Sequence, residues 1–169
     1  MRQAGFRRLI EDTKMRKPLN NMKLRPLQYG KYDPASNSYG MVRRSHKRAH
    51  QGWDLTASPG TPVFAITNGE LTTGFSHSYG NWASLKFAHG GDARYAFYGH
   101  LQTTVGSNCS VTEGALIGFT GRTGNASKIP HAEAHLHFEI RTVEHPAHGL
   151  HGRVDPGEVL GYDVYQCAP

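Results

Sequence analysis

The stretch HLHFEIR at residues 135–141 carries the clearest structural information in this chain of 169 residues. Its apolar and polar residues alternate strictly, with Leu136, Phe138 and Ile140 on one side and His135, His137, Glu139 and Arg141 on the other. Successive side chains of a strand point to opposite faces, so this pattern predicts a β-strand. We expect the apolar face to lie in a core and the histidine face to line a solvent-accessible cleft.

Other segments have the same extended character and are separated by glycine-rich turns. The predicted strands are Val63–Ile66, Glu70–Phe75, Trp82–Ala88, Ala93–Tyr98, Ser110–Thr112 and Ala115–Thr120. Asn68-Gly69, between the first two, is a turn signal that predicts a hairpin. Residues 121–134 are rich in glycine and proline and are predicted to form a loop. The predicted fold class is therefore mainly β, a compact antiparallel β-sheet domain.

Short helices are predicted at both ends of the chain. Asp155-Pro156-Gly157-Glu158 is typical of a helix start, because Asp can cap, Pro suits the first helical position and Glu can complete a capping box. Near the other end, Gly5–Met15 forms either a short helix or part of a loose arm. Residues 1–25 are basic and poor in large apolar groups, so we assign them to an N-terminal arm and residues 26–169 to one domain.

The charge of the chain restricts its partners. A formal net charge of +6 and a pI near 9.5 favour anionic partners such as nucleic acid, anionic lipid or a bacterial cell-wall polymer. No nucleic-acid-binding motif accompanies the basic residues, and solvated faces are their ordinary explanation. No apolar stretch has the ~20 residues that a membrane span needs, and no cleavable secretory signal is visible.

Three short motifs hold the residues that could bind a metal: HQGWD at 50–54, YGHL at 98–101 and HLHFE at 135–139. A catalytic zinc site uses three nitrogen or oxygen ligands from the protein and keeps one position for water. An HExxH motif and a CxxC pair are both missing from the sequence. Cys109 and Cys167 are too far apart for a metal knuckle, and either a disulfide or two free thiols fits them. The motifs together predict an open zinc site with spare imidazoles, which indicates a hydrolase.

In their order and spacing these motifs resemble the lysostaphin-type (LytM-like) zinc endopeptidases that cut peptidoglycan. The supporting segments are Tyr39–Arg43, Gly60–Ala65 with Gly69, Gly118–Gly124 and Val154–Pro156. The resemblance covers roughly residues 26–163 and implies the lysostaphin-type fold, an antiparallel sheet with loops walling a narrow groove. It implies one Zn²⁺ per chain, bound by His50, Asp54 and His137. It also implies that His100 and His135 are catalytic histidines that do not bind the metal.

Three more residues are predicted to support the site. Glu139 lies on the histidine face of its strand and either orients a histidine or makes a structural hydrogen bond or salt bridge. His131 lies in residues 125–134, which this chain inserts relative to the family, and is either a substrate contact or an ordinary loop residue. Arg43 belongs to the lead-in segment and either supports the metal site or contacts substrate.

The resemblance implies hydrolysis of peptide stems or cross-links of peptidoglycan. One catalytic histidine would accept a proton from water and return it to the leaving amine, and either His100 or His135 could be the base. The sequence also leaves open which peptide bond is cut, since D-Ala–diaminopimelate cross-links and glycine bridges both fit. The substrate is extracytoplasmic and no signal peptide is visible. We therefore expect an antibacterial effector or phage-type lysin that reaches the cell wall or a target periplasm by a specialised route, with an immunity or inhibitor protein as partner.

Two other classes of function are open to such a chain. One is a catalytically inactive wall-binding or regulatory module of the same fold, which would normally have lost metal ligands. The other is a basic nucleic-acid binder with incidental histidines, whose affinity would be sensitive to salt. All five metal and catalytic positions are filled here, and nucleic-acid binding leaves the motif spacing unexplained. The sequence therefore favours the enzyme.

Overall fold

A computed structural model describes residues 14–167 and the side chains of residues 14–165. Within that range the chain forms thirteen β-strands and one α-helix. In chain order they are β1 (Leu27–Gln28), β2 (Lys31–Tyr32), β3 (Gly40–Arg43), β4 (Arg48–His50), β5 (Trp53–Thr56), β6 (Pro62–Phe64), β7 (Gly69–Ser76), β8 (Gly80–His89), β9 (Asp92–Thr104), β10 (Cys109–Val111), β11 (Leu116–Thr120), β12 (His135–Arg141), β13 (Arg153–Val154) and α1 (Pro156–Leu160). Short 3-10 helices lie at Pro34–Asn37, Gly124–Lys128, His131–Glu133 and Val164–Cys167.

Nine of these strands form one antiparallel sheet, which confirms the predicted fold class. Its main path runs β10-β7-β8-β9-β11-β6, and β12 branches from β9 to pair also with β5 and β13. The remaining four strands form two separate two-stranded sheets, β1-β2 and β3-β4. On one edge of β9, residues 95–99 pair with β12 and residues 101–104 pair with β11. The long strand β9 thereby fixes β12 relative to the end of β11, where the loop of residues 121–134 begins.

The strand predicted from HLHFEIR is β12, and it has the predicted bounds. Its apolar face is fully buried in the core, as expected, and its polar face is buried too. His135 and His137 line a cavity. Glu139 and Arg141 do not lie in that cleft, so the expectation of an accessible polar face is wrong for them. A carboxylate and a guanidinium can be buried when they neutralise each other, and these two side chains form an ion pair at 2.7 Å.

The hairpin predicted at Asn68-Gly69 is wrong. β6 pairs with β11, whereas β7 pairs with β8 and β10. The side-chain oxygen of Asn68 instead accepts a hydrogen bond of 2.8 Å from the backbone N–H of Glu113, in the turn after β10. Gly69 does not adopt a positive φ, but a Cβ there would collide with the carbonyl oxygen of Lys86 on β8. Glycine is required here by the close approach of a neighbouring strand and not by a turn.

The predicted helix start near the C-terminus is confirmed. Asp155 caps α1, since its Oδ1 accepts a hydrogen bond of 3.0 Å from the N–H of Gly157. The helix ends at Gly161, which adopts the left-handed conformation with φ +64°. The other predicted helix, Gly5–Met15, lies outside the described residues except for its last two positions.

The described part of the predicted N-terminal arm, residues 14–25, packs against the sheet. Leu19, Met22 and Leu24 are buried in the hydrophobic core. The backbone of residues 23–25 runs along β5, where Arg25 N–H donates to Asp54 O and Thr56 N–H donates to Lys23 O, both at 2.8 Å. This segment covers the edge of β5 that is not paired with β12. The division of the chain at residue 25 stays a prediction.

The part of the chain from residue 14 to residue 167 contains no helix with the length and apolar composition that a bilayer crossing requires. Cys109 is half-buried. The side chain of Cys167 lies outside the described residues, so the pairing of the two cysteines stays open.

Leu19→Ala is expected to lower the free energy of unfolding by about 2–5 kcal/mol, because it opens a cavity in the core. Leu116→Ala is the matched control, since Leu116 is 38% exposed whereas Leu19 is 1% exposed. Urea unfolding of the two variants measures the difference. Equal losses would contradict the inclusion of residues 14–25 in the folding unit.

Candidate metal centre

His50, Asp54 and His137 form a buried cluster where β4, β5 and β12 meet. His50 is the last residue of β4, and Asp54 lies directly opposite His137 in the β5–β12 register. Nε2 of His50 lies 3.1 Å from Oδ1 of Asp54, and Nδ1 of His137 lies 2.7 Å from the same oxygen. Among the described residues, these side chains form the one group of three or more His, Cys, Asp or Glu residues whose ligand atoms all lie within 4.8 Å of one another.

The donor atoms of this cluster fit a divalent cation such as zinc. Zinc binds imidazole nitrogen and carboxylate oxygen at about 2.0–2.2 Å, which spaces the ligand atoms of a tetrahedral site about 3.4 Å apart. The hydrogen bonds of His50 also suit this role. Its Nδ1 donates to the carbonyl oxygen of Ser38 at 2.7 Å, which leaves the lone pair of Nε2 directed at the cluster.

Arg43 holds Asp54 from the side away from the histidines. Its Nη2 donates to Oδ2 of Asp54 at 2.7 Å, and its Nε donates to the carbonyl oxygen of Ser36 at 2.8 Å. Oδ1 of Asp54 therefore stays directed at the imidazoles. Burial alone would raise the pKa of Asp54, but the adjacent His50 and His135 outweigh burial and hold that pKa well below its usual range. These contacts favour the predicted role of Arg43 in supporting the metal site over a contact with substrate.

Glu139 lies beneath the cluster and is fully buried. Its Oε1 accepts hydrogen bonds from Nε2 of His137 and the hydroxyl of Tyr79, each at 2.9 Å. Its Oε2 accepts hydrogen bonds from Nε of Arg141 and Nε of Arg153, each at 2.7 Å. These contacts support an orienting role for Glu139, because a hydrogen on Nε2 leaves Nδ1 of His137 facing Asp54 and His50.

The two carboxylates make the position of His137 favourable for positive charge. Burial alone would lower the pKa of His137, but its hydrogen bonds to Asp54 and Glu139 outweigh burial and raise the pKa to about 9. The pKa of Glu139 is lowered in turn, because His137 and Arg141 outweigh the effect of burial. An environment that stabilises an imidazolium is electrostatically suited to a bound cation.

His100 reaches the cluster from a β-bulge. The pairing of β8 with β9 shifts by one residue between Asn81↔Leu101 and Ala83↔Tyr98. His100 lies between these two pairs, at the extra residue of β9, and its φ of +62° is one that few residues other than glycine adopt. Its N–H donates to the carbonyl oxygen of Tyr79 at 2.7 Å. The bulge turns the imidazole into the cavity, and backbone strain of this kind concentrates at functional sites.

His100 and His135 present the same ring nitrogen to the cavity. Nδ1 of His100 donates to the carbonyl oxygen of Thr123 at 3.0 Å, and Nδ1 of His135 donates to that of Glu133 at 3.1 Å. A carbonyl only accepts, so each neutral ring carries its hydrogen on Nδ1 and keeps a lone pair on Nε2. Burial lowers the pKa of both histidines, that of His100 to about 3. The ring centroids lie 5.1 Å apart.

A cavity of about 620 Å³ opens above these residues. The five predicted metal and catalytic residues and Arg43 all line it. His131 does not line it and is exposed on its 3-10 helix, whereas Pro130 and Glu133 on either side of it face the cavity. Residues 125, 126, 128–130 and 133 therefore supply one wall, and the structure gives no support to His131 as a substrate contact.

Sequence reasoning missed three residues that lie at this site. Tyr79, in the turn between β7 and β8, lines the cavity and bonds Glu139. Arg25 forms an ion pair with Glu133, whose carbonyl oxygen orients His135. His148 lines the cavity from the loop after β12. Each reaches the site through a tertiary contact, so no local pattern in the sequence marks them.

An antiparallel β domain with a buried His-Asp-His cluster and two free imidazoles defines a metallopeptidase of the lysostaphin type. Residues 48–149 match the model of peptidase family M23, and the chain belongs to this family. The resemblance inferred from the motifs is thereby confirmed.

Relatives and solved structures agree with this family. The Neisseria meningitidis protein named DD-carboxypeptidase/endopeptidase Mpg is 33% identical over 138 residues, which cover 80% of this chain and 30% of that protein. The chain therefore spans less than a third of the length of this relative. The catalytic domain of the antimicrobial peptidase lysostaphin from Staphylococcus simulans has a TM-score of 0.58 and 28% identity, covering 74% of this chain and 90% of that domain. The catalytic domain of the prophage-encoded M23 protein EnpA from Enterococcus faecalis has a TM-score of 0.57 and 26% identity, covering 70% of this chain and 85% of that domain.

Glu139→Gln is expected to weaken zinc binding by about 10-fold to 100-fold, because it weakens the hydrogen bond that orients His137. Competition with a chromophoric chelator measures the affinity, and thermal unfolding shows how far the variant is folded. Glu113→Gln, at an exposed position, is the control and should bind zinc like the parent protein. A folded Glu139→Gln protein with unchanged affinity would contradict the orienting role.

Proposed function

We propose that this protein is a zinc-dependent endopeptidase that hydrolyses peptide stems or cross-links of bacterial peptidoglycan. The observation that carries the proposal is the convergence of three ligand-type side chains on one point, with two neutral imidazoles facing the same cavity. Membership of family M23 supports peptidase chemistry. The meningococcal relative is named a DD-carboxypeptidase/endopeptidase and lysostaphin an antimicrobial peptidase, and both names support a peptide substrate.

In this proposal His50, Asp54 and His137 would hold the zinc ion, and Nε2, Oδ1 and Nδ1 are their atoms that face one another. A bound zinc ion supplies Lewis-acid chemistry, since it lowers the pKa of a water molecule towards neutrality and polarises a peptide carbonyl. Arg43 keeps Asp54 in place, and Glu139 does the same for His137. Two of the ligand side chains are thus already oriented in the metal-free protein, which limits how far they must move when zinc binds.

The two remaining histidines handle the protons of peptide hydrolysis. Nε2 of His135 lies 3.7 Å from Oδ1 of Asp54, so this carboxylate can stabilise a proton gained by His135. We therefore assign to His135 the acceptance of the proton from the attacking water. The leaving amine takes up one proton as the C–N bond breaks, so the cycle ends with both rings neutral. Nε2 of His100 also presents a lone pair to the cavity, so this ring can relay that same proton from His135 to the amine.

The alternative of a catalytically inactive module has no specific observation in its favour, because all five positions retain metal-binding or proton-transferring side chains. Delivery as an antibacterial effector, action in a target periplasm and an immunity protein as partner stay predictions from the sequence. None of these depends on the geometry of the cluster.

His137→Ala and His135→Ala are expected to separate metal binding from proton transfer. The first variant removes a ligand and should lose both stoichiometric zinc and activity. The second should keep its zinc and lose about 10²–10⁴-fold in rate, the usual contribution of a general base. Elemental analysis and a cleavage assay measure the two properties, with His131→Ala as a control that keeps both. Normal cleavage by His135→Ala would show that the assigned role is wrong.

Digestion of purified peptidoglycan is expected to release new free amines without new reducing sugars. Hydrolysis of an amide bond produces an amine, whereas glycan cleavage produces a reducing end. Mass spectrometry of the resulting muropeptides identifies the bond, and the zinc-free protein provides the background. New reducing ends without amines would refute the endopeptidase proposal.

A further inference from the structure

We propose that Arg48 and Lys128 bind carboxylate groups of the substrate, so that this protein selects an anionic peptide over a neutral one. The inference deepens the proposed function and rests on it, because it concerns the same groove. It narrows the substrate to a peptide that carries free carboxylates near the scissile bond, and it assigns two residues that no motif of the sequence marked.

The charges of the groove do not balance. Six charged side chains line it: Arg25, Arg43, Arg48, Asp54, Lys128 and Glu133. Both carboxylates already have an arginine, since Glu133 pairs with Arg25 and Asp54 pairs with Arg43. Within the described residues, neither Arg48 nor Lys128 forms an ion pair. Two positive charges, those of Arg48 and Lys128, therefore remain without a carboxylate partner.

The two uncompensated cations project from different walls. Arg48 is the first residue of β4, and its Nη1 donates to the hydroxyl of Tyr29 at 3.2 Å. Lys128 is the last residue of the 3-10 helix Gly124–Lys128, in the loop that precedes β12. Both side chains are exposed, whereas the candidate metal ligands are buried at the floor. A substrate whose scissile bond lies at the floor would therefore meet these cations with its flanking groups.

Carboxylates are the groups that this arrangement recognises in a peptide. Arginine offers a planar fork that can bind a carboxylate with two hydrogen bonds, and lysine offers a point charge. A cleft lined with one sign of charge also raises the local concentration of oppositely charged ligands and their association rate. A diaminopimelate cross-link carries free carboxylates, whereas the interior of a glycine bridge carries none. The charge of the groove thus favours the former of the two substrates that the sequence left open.

The test compares three synthetic substrates that differ in charge, cleaved by the zinc-loaded full chain. They are a diaminopimelate cross-linked peptide with free carboxylates, the same peptide with those carboxylates amidated, and pentaglycine with both ends blocked. We expect kcat/KM for the acid form to exceed that for the amide form by about ten-fold at low ionic strength, with a smaller ratio as salt screens the charges. Pentaglycine should be the poorest of the three.

Variants then assign this preference to the two residues. Arg48→Gln and Lys128→Gln should each lower kcat/KM for the acid peptide by about five-fold, the upper range for an exposed ion pair. The loss should be smaller for the amidated peptide than for the acid peptide, so that the ratio between the two falls. Arg48→Lys and Lys128→Arg should preserve the preference for the acid form. Lys47→Gln is the matched control, because Lys47 is an exposed neighbour of Arg48 that does not line the groove.

A binding measurement separates this inference from the proposed function. Calorimetric titration of the metal-free protein with the acid and amidated peptides reports recognition without catalysis. Equal affinities and equal cleavage of the two peptides would overturn the inference and leave the endopeptidase proposal intact. Tighter, salt-sensitive binding of the acid peptide that Arg48→Gln weakens, with no cleavage of any substrate, would support the binding site and overturn the endopeptidase proposal.

Discussion

The position of β12 between β5 and β9 is the constraint on which the rest of the site depends. Its register places His137 opposite Asp54 on one side and opposite Gly99 on the other. A slip of one residue would turn the apolar side chains of β12 into the groove and its histidines into the core. Burial of the apolar face therefore fixes the direction of the imidazoles. One face of β12 thus packs in the hydrophobic core while the other contributes to the candidate metal centre, and neither face can be rearranged without displacing the other.

Ionised side chains are buried around this strand, and each of them has a partner of opposite charge. Asp54 has Arg43, and Glu139 has Arg141 and Arg153. An unpaired charge in such a place costs several kcal/mol, so the pairs are needed for folding as well as for orienting the cluster. His100 and His135 are held differently, by backbone carbonyl oxygens. The candidate metal ligands and the two proton-transferring histidines are therefore oriented by different hydrogen-bond partners.

Patterns confined to a few residues were sufficient to predict much of this arrangement. The alternation in β12, the cap of α1 and the three histidine motifs led to the fold class and to side chains that the structure brings together. The same local reasoning failed at Asn68-Gly69, because a turn signal cannot be distinguished from a glycine that a neighbouring strand requires. It also missed Tyr79 and Arg25, whose contacts join segments that are 60 and 108 residues apart in the chain. Such contacts follow from the assembled sheet and leave no local trace.

The N-terminal segment that lies along β5 has a practical consequence for protein engineering. A version trimmed to begin at Pro26 would retain every metal-binding motif and the whole of residues 48–149, which match peptidase family M23. It would also leave the backbone of β5 open to pairing with another molecule, a common route to aggregation. Glu133 would keep its carboxylate but lose the guanidinium of Arg25 beside His135. Low solubility of such a fragment would then reflect a missing edge of the sheet and would say nothing about its chemistry.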